Sequence, residues 1–173
     1  IDTDGFGSIS QTGPTFTTWY PKHGTTVMYD EGRILTAGGA ISGNNLGSTN
    51  RAITIDINSN TTQVSNTNSM IFARKFHNSV MLPTGEVLVI GGNTSGVKFN
   101  DSGTVLAAEM WNPQTGNWRE LADMSIPRNY HSIALLMTDG RVLSGGGGLC
   151  GSCAANHEDG QVYSPPYLFN ANG

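Results

Sequence analysis

The sequence predicts an all-β fold, an incomplete β-propeller of about three four-stranded blades. Three observations predict it: a hairpin pattern that recurs every 54 residues, 23 glycines among 173 residues, and short apolar runs bounded by turn residues. Each interior glycine costs a helix about 1 kcal/mol, so this composition excludes a long α-helical protein. Four strands in roughly 50 residues are typical of one propeller blade.

Each repeat opens on a histidine, and the three lie at intervals of 54 residues: His23, His77 and His131. An apolar strand follows each histidine, and then a turn that contains glycine, at residues 30–32, 83–85 and 138–140. Glycine late in the turn supplies the positive φ of a tight hairpin. A second apolar strand ends in a diglycine, which lets two backbones approach closely. The pattern therefore predicts a hairpin in each repeat, and its continuous apolar runs predict strands buried on both faces.

A third strand is predicted in each repeat, at residues 51–57, 106–111 and 160–163, and Trp118 after the turn at 112–116 indicates a fourth. The repeats span about 20–70, 74–125 and 128–165, so residues 1–165 are predicted to be propeller. Three blades do not close a ring and known propellers have 4 to 8 blades, which predicts that the chain is a fragment of a larger propeller, with about seven blades expected. The alternative is a meander or sandwich with three chance hairpins.

The charge balance argues against some partners. Lys and Arg number 9 and Asp and Glu number 13, which gives a net charge of −4 and no basic field for nucleic acid. No apolar run approaches 18 residues, so no membrane-spanning segment is expected. Three sequons, at Asn60, Asn93 and Asn100, are weak support for secretion because the chain is rich in Asn and Thr.

The hairpin, the diglycine and then Trp111, Asn112 and Pro113 with Trp118 shortly after form the pattern of a kelch repeat. More specific motifs follow: PRNYHS at 127–132, GGGGLCGSC at 145–153, NH at 156–157 and YSPPYL at 163–168, with FARKFH at 72–77. With these motifs the chain resembles the galactose oxidase family of copper radical oxidases, which includes glyoxal oxidases. The resemblance covers about residues 25–173.

The resemblance implies a secreted enzyme that oxidises a primary alcohol or aldehyde, from a carbohydrate or small-molecule substrate, while dioxygen is reduced to hydrogen peroxide. It also implies Cu(II) bound by two Tyr and two His, with a tyrosyl radical on a Tyr that is cross-linked to a Cys. On this sequence, Tyr130 is the expected axial ligand and general base, and His131 an equatorial ligand. The radical Tyr, its Cys and the last His are expected outside this chain. The last His belongs to a C-terminal β-sandwich domain, to which residues 166–173 would begin the link.

The resemblance also implies a substrate pocket and a disulfide. Phe99 lies 31 residues before Tyr130, the family's offset for a pocket aromatic, and Phe76 belongs to the second matching block. After the first diglycine, galactose-specific members have a Tyr-Gln pair, whereas the loop at residues 40–47 of this chain contains no aromatic residue, which disfavours galactose itself. Cys150 and Cys153 are expected to form a small structural disulfide. From the residues alone, half a zinc site with His157 and a C-x-x-C redox centre are the alternatives.

Adjacent strand residues point to opposite faces, so Tyr130 and His131 can share a metal only at a loop or an irregular strand start. His23 and His77 are expected to be hydrogen-bonded structural residues. The competing functional hypothesis is a non-catalytic kelch scaffold that binds carbohydrate or protein, and a weaker one is a glycan-binding module that uses Phe99 and Phe76. Copper content and peroxide release separate these hypotheses.

Overall fold

The chain forms three antiparallel sheets in a computed structural model that describes residues 5–9, 21–41, 47–59 and 61–169. The first sheet contains β1 (Thr25–Asp30), β2 (Arg33–Ala37), β3 (Ala52–Asp56) and β4 (Gln63–Asn66). The second contains β5 (Lys75–Met81), β6 (Val87–Asn93), β7 (Ala107–Trp111) and β8 (Trp118–Asp123). The third contains β9 (Ile133–Leu136), β10 (Val142–Gly145) and β11 (Gly160–Tyr163). Each strand pairs with its neighbour in sequence, so each sheet is a meander.

The sheets match the three predicted repeats, and the predicted hairpins are confirmed as β1–β2, β5–β6 and β9–β10. Within the described residues the third sheet has three strands rather than the predicted four. After β11, Pro165 and Pro166 provide no backbone N–H for a ladder, and a short 3-10 helix (Pro166–Leu168) follows instead. Whether the propeller segment ends at residue 165 stays a prediction.

The first strands of the three sheets lie side by side, β1 against β5 and β5 against β9, so they form the inner edge of the arc. The diglycines join neighbouring blades. Gly39 N–H donates to the Arg74 carbonyl at 3.0 Å, and Gly92 N–H donates to the Arg128 carbonyl at 2.7 Å. A Cβ on Gly38 would lie only 2.7 Å from the Arg74 carbonyl oxygen. The close backbone approach predicted from the diglycines therefore occurs between blades.

Strand β6 is buried on both faces, as its apolar run predicts. Its side chains alternate between two cores. Val87 and Val89 pack with Leu35, Met70 and Trp111 of the first interface. Leu88 and Ile90 pack with a second set, which includes Val80, Met110 and Val142.

The same prediction is wrong for β1 and β9. In β1, intermediate and exposed residues alternate, and Ile133, Leu135 and Leu136 of β9 are all substantially exposed. These strands belong to the outer blades of the arc, so one face of each has no neighbouring blade within the described residues. An apolar run thus reports burial only where a blade packs on each side.

No helix among the described residues is long and apolar enough to cross a membrane.

A candidate metal and substrate site

Aromatic rings from three segments meet at one end of the inner strands. Tyr130 and His131 immediately precede β9, and their ring centroids lie 3.8 Å apart. The Phe99 ring lies 5.1 Å from the Tyr130 ring and 5.9 Å from the His131 ring. The Phe76 ring, at the start of β5, lies 5.3 Å from the Tyr130 ring and 4.9 Å from the His23 ring. The structure therefore brings together all four residues predicted for the metal and the substrate.

The backbone of this cluster is unusual. Positive φ angles occur at His23 (65°), Phe76 (59°), Phe99 (56°) and His131 (69°). A side chain in the left-handed region costs roughly 1–2 kcal/mol, and such residues concentrate at functional sites. His131 lies in a turn that is closed by a hydrogen bond from Ser132 N–H to the Asn129 carbonyl. Because of this turn, the Tyr130 and His131 rings lie against each other, which the strand alternation alone would forbid.

The two histidines His77 and His131 occupy the same position of the repeat but have different environments. In the second repeat the left-handed residue is Phe76, so the next side chain, His77, turns into the core and is 4% exposed. There it hydrogen-bonds Thr25 Oγ1 at 3.1 Å, and burial, with a smaller effect of Arg74, lowers its pKa to about 3. In the third repeat the left-handed residue is His131 itself, which stays exposed. His77 is therefore structural, as expected.

A single residue, Gly148, bonds both His131 and Tyr130 through its backbone. The Gly148 carbonyl lies 2.8 Å from His131 Nδ1, and Gly148 N–H donates to the Tyr130 carbonyl at 2.8 Å. A carbonyl only accepts, so Nδ1 carries the proton and Nε2 of the neutral ring keeps its lone pair. Metal-ligating histidines usually donate their second nitrogen in this way. The position requires glycine, because φ is +87° and a Cβ would contact Ala155 and Asn156.

These residues fit a copper ion. Imidazole and phenolate suit Cu(II), and one of each is provided here by adjacent residues. Among the described residues no group of three or more His, Cys, Asp or Glu side chains could hold a metal ion, so Tyr130 and His131 are at most part of a ligand set. Sequence reasoning did not identify Gly148, although the run of four glycines at 145–148 was a signal for it.

The two phenylalanines differ in exposure. Phe99 is 40% exposed, whereas Phe76 is 9% exposed and contacts the His23 and Tyr130 rings.

Positive charges surround the same rings. The ammonium of Lys98 lies 4.8 Å from the centre of the Tyr130 ring. Partial burial lowers the pKa of His23, and the charges of Lys98, Lys22 and Lys75 lower it further. The surroundings of Tyr130 are thus aromatic and locally cationic, although the net charge of the chain is −4.

A cleft of about 450 Å³ opens beside His131, lined by Leu149, Asn156 and Glu158 among others. Gly151, which lies between the two cysteines, also lines the cleft, and the Cys150–Cys153 disulfide is present as the resemblance implies. The zinc alternative is wrong, because both sulfurs are in this bond and His157 Nε2 instead lies 2.9 Å from Asp101 Oδ2. The Asn156 side chain holds the small ring, since its Oδ1 accepts from Leu149 N–H at 2.7 Å and Cys150 N–H at 3.1 Å.

The sequons fall in different environments. Asn60 lies outside the described residues. Asn93 is fully buried, and its side chain donates to the Val97 carbonyl at 3.1 Å and accepts from Gly96 N–H at 2.7 Å. Asn100 is exposed, and its Oδ1 accepts from Ser102 N–H. The native position of Asn93 therefore leaves no room for a glycan.

The family assignment follows from comparisons with known proteins. A family model described as the glyoxal oxidase N-terminus matches residues 20–151. A galactose oxidase from Gibberella zeae is 43% identical over 155 residues, 87% of this chain and 23% of the relative. The Arabidopsis thaliana aldehyde oxidase GLOX1 is 36% identical over 116 residues, 59% of this chain and 18% of the relative.

Solved structures agree with this assignment. A fungal alcohol oxidase in complex with copper has a TM-score of 0.83 at 41% identity, over 88% of this chain and 33% of that one. YjhT, at 16% identity and a TM-score of 0.59, supports the fold alone. The chain spans less than a quarter of the length of the curated relatives. It belongs to the galactose oxidase and glyoxal oxidase family, in the segment described as the glyoxal oxidase N-terminus.

Proposed function

We propose that the full-length protein is a secreted copper oxidase that converts a primary alcohol or aldehyde with dioxygen to the oxidised product and hydrogen peroxide. The observation that carries the proposal is the pair Tyr130 and His131, adjacent in sequence with ring centroids 3.8 Å apart, with the His131 proton fixed on Nδ1 by Gly148. Homology to galactose, aldehyde and copper-containing alcohol oxidases supports it. The disulfide supports secretion.

The roles of the residues follow from their positions. His131 would hold copper through Nε2, and the Tyr130 phenolate would be a second ligand that accepts the hydroxyl proton of the substrate. A bound cupric ion would stabilise the phenolate and accept an electron, and a second redox-active Tyr from outside this chain would accept the other. Phe99, which is 40% exposed, would contact the substrate, and Phe76 would support the Tyr130 ring through their edge contact.

The substrate is proposed to be a carbohydrate or small alcohol, and the sequence does not favour galactose. Where galactose-specific members have a Tyr-Gln pair, the loop at residues 40–47 of this chain contains no aromatic residue to pack on a sugar ring. Because Phe99 is 40% exposed and contacts Tyr130, its replacement by another aromatic residue should change substrate preference more than the free energy of unfolding.

The test separates the two ligand roles in the full-length protein. Tyr130→Phe keeps the ring packing but loses the oxygen, so copper should remain bound while turnover falls by roughly 10²–10⁴-fold, the range typical of a lost general base. His131→Ala should instead lower the copper content itself. Metal analysis and a peroxidase-coupled assay with a panel of alcohols and aldehydes measure both effects.

Two outcomes contradict the proposal. Near-normal turnover of copper-loaded Tyr130→Phe would remove the base role from Tyr130. Wild-type protein that binds copper poorly and releases no peroxide, yet retains a sugar or protein ligand, would favour the scaffold hypothesis.

A further inference from the structure

We propose that Asp101 is a positioning residue that fixes Phe99 against Tyr130, an inference that rests on the proposed function. Phe99 lies in the connection from β6 to β7, here called the Phe99 loop (residues 93–104). Asp101, two residues after Phe99, connects this loop to both segments that surround His131. Both oxygens of the Asp101 carboxylate accept a hydrogen bond: Oδ1 accepts from Asn129 Nδ2 at 3.0 Å, and Oδ2 accepts from His157 Nε2 at 2.9 Å.

Each partner of Asp101 is itself part of the site. Asn129 immediately precedes Tyr130, is only 4% exposed, and donates also to Thr104 Oγ1 at 2.9 Å. His157 follows Asn156, whose side chain holds the disulfide ring, and its own N–H donates to the Gly147 carbonyl at 3.3 Å. One carboxylate of the second blade therefore connects to the segment before the ligands and to the segment after them.

The loop is ordered internally but has few other anchors on the third blade. Thr94 N–H donates to the Gly103 carbonyl at 2.8 Å, and Ser95 Oγ donates to the Ser102 carbonyl at 3.0 Å. These hydrogen bonds join residues within the loop, so they do not fix the position of its tip relative to the third blade. Among the described residues, the loop contacts the third blade through three kinds of contact. Asp101 and Thr104 accept hydrogen bonds from it, and the Asn100 carbonyl accepts a long one from Asn129. The Phe99 ring and the Lys98 ammonium lie against the rings before β9.

Backbone strain provides a second, independent reason. Phe99 has φ of 56°, a conformation that a bulky residue retains only when its surroundings enforce it. Phe99 is 40% exposed, so packing against its side chain is incomplete. The hydrogen bonds two residues later supply the constraint. Without them the loop tip can relax, and Phe99 leaves the Tyr130 ring.

The experiment uses the full-length protein with Asp101→Ala, and Asp101→Asn as the conservative variant. Asp139→Ala is the matched control, because this carboxylate also accepts a side-chain N–H bond, from Arg141, but lies in the β9–β10 turn. Asp101→Ala should raise KM for substrate about tenfold, with kcat changed less than threefold and copper content unchanged. Asp101→Asn keeps one acceptor oxygen, so its KM should lie between those of the wild type and Asp101→Ala.

Two further readouts identify the mechanism. Hydrogen exchange of residues 93–104 should rise about tenfold in Asp101→Ala and stay at the wild-type rate in Asp139→Ala. In the background of Phe99→Ala, Asp101→Ala should add less than a twofold change in KM, because both variants remove the same contact. A merely structural role would give multiplicative KM effects.

Unchanged exchange in the loop, or KM effects that multiply with Phe99→Ala, would overturn the proposal. Because hydrogen exchange needs no turnover, it decides the role of Asp101 even if the protein proves not to be an oxidase. An inactive wild-type protein would contradict the proposed function, whereas a loop that stays ordered in Asp101→Ala would contradict this inference.

Discussion

At the scale of the residue, the position of one left-handed backbone angle decides whether a repeated histidine belongs to the core or to the site. The sequence predicted equivalent residues at His77 and His131, 54 positions apart. The repeat could not show that the positive φ moves from Phe76 to His131 between the second and third blades. That single shift exposes His131 and buries His77. Only the family's Tyr-His motif distinguished the two in advance.

The burial of His77 has a consequence for stability against pH. Its pKa is lowered to about 3 in the folded state, against about 6.5 in an unfolded chain, so the unfolded state binds more protons between these values. The free energy of unfolding should therefore fall by up to about 1.4 kcal/mol per pH unit as the pH drops from 6.5 towards 3.

Urea unfolding at several pH values between 7 and 4 measures this slope. His77→Gln should lose it, whereas His23→Gln, at a partly buried histidine, should change it much less. Equal slopes in the wild type and His77→Gln would show that another group controls the acid sensitivity.

At the scale of the element, the hairpins were predictable because turn glycines and apolar strands are local signals. Gly32, Gly85 and Gly140 all have the predicted positive φ. Which strand faces a neighbour was not predictable, because the burial of β1 and β9 depends on whether another blade packs against them, which a local apolar run does not report. The polar anchors of the site, Asp101 and Asn129, were also missed, since a contact between two loops has no local sequence pattern.

A buried ion pair holds the loop after β4 to the second blade. Arg74 Nη2 lies 2.5 Å from Glu109 Oε1, with both side chains fully buried, and burial lowers the pKa of Arg74. The other oxygen of Glu109 accepts from Ile71 N–H at 2.6 Å. Removing one member of such a pair leaves a buried charge without compensation.

Glu109→Gln should therefore lower the free energy of unfolding by about 3–5 kcal/mol. Glu86→Gln is the control, because Glu86 pairs with Arg119 at the surface, at 3.2 Å, and such pairs contribute about 0–1 kcal/mol. Chemical denaturation of both variants gives the comparison, and equal losses would contradict the assigned importance of burial.

At the scale of the whole molecule, the site is assembled between blades rather than within one. Phe76 comes from the second inner strand, Phe99 from the connection from β6 to β7, and Tyr130 and His131 from the start of the third blade. Blade-to-blade hydrogen bonds from the diglycines set the relative positions of these segments. The site geometry thus depends on the same contacts that stack the sheets.

The 173-residue chain by itself should release no copper-dependent peroxide. Its described residues contain no group of three His, Cys, Asp or Glu side chains that could hold a metal, and Tyr130 with His131 would be only half of the implied ligand set. Copper analysis and a peroxide assay on this chain and on the full-length protein test the expectation. Robust peroxide release from the isolated chain with an alcohol would contradict it.

The internal bonding of the Phe99 loop has a consequence for the diversification of these enzymes. Because Asn93 and Thr104 close the loop by a β-bridge, its shape is encoded within twelve consecutive residues. Such a segment can be exchanged as one piece between related propellers, provided that the recipient has an amide and an imidazole to receive its aspartate. New substrate preferences could then arise by transplanting a single surface segment while the blades stay unaltered.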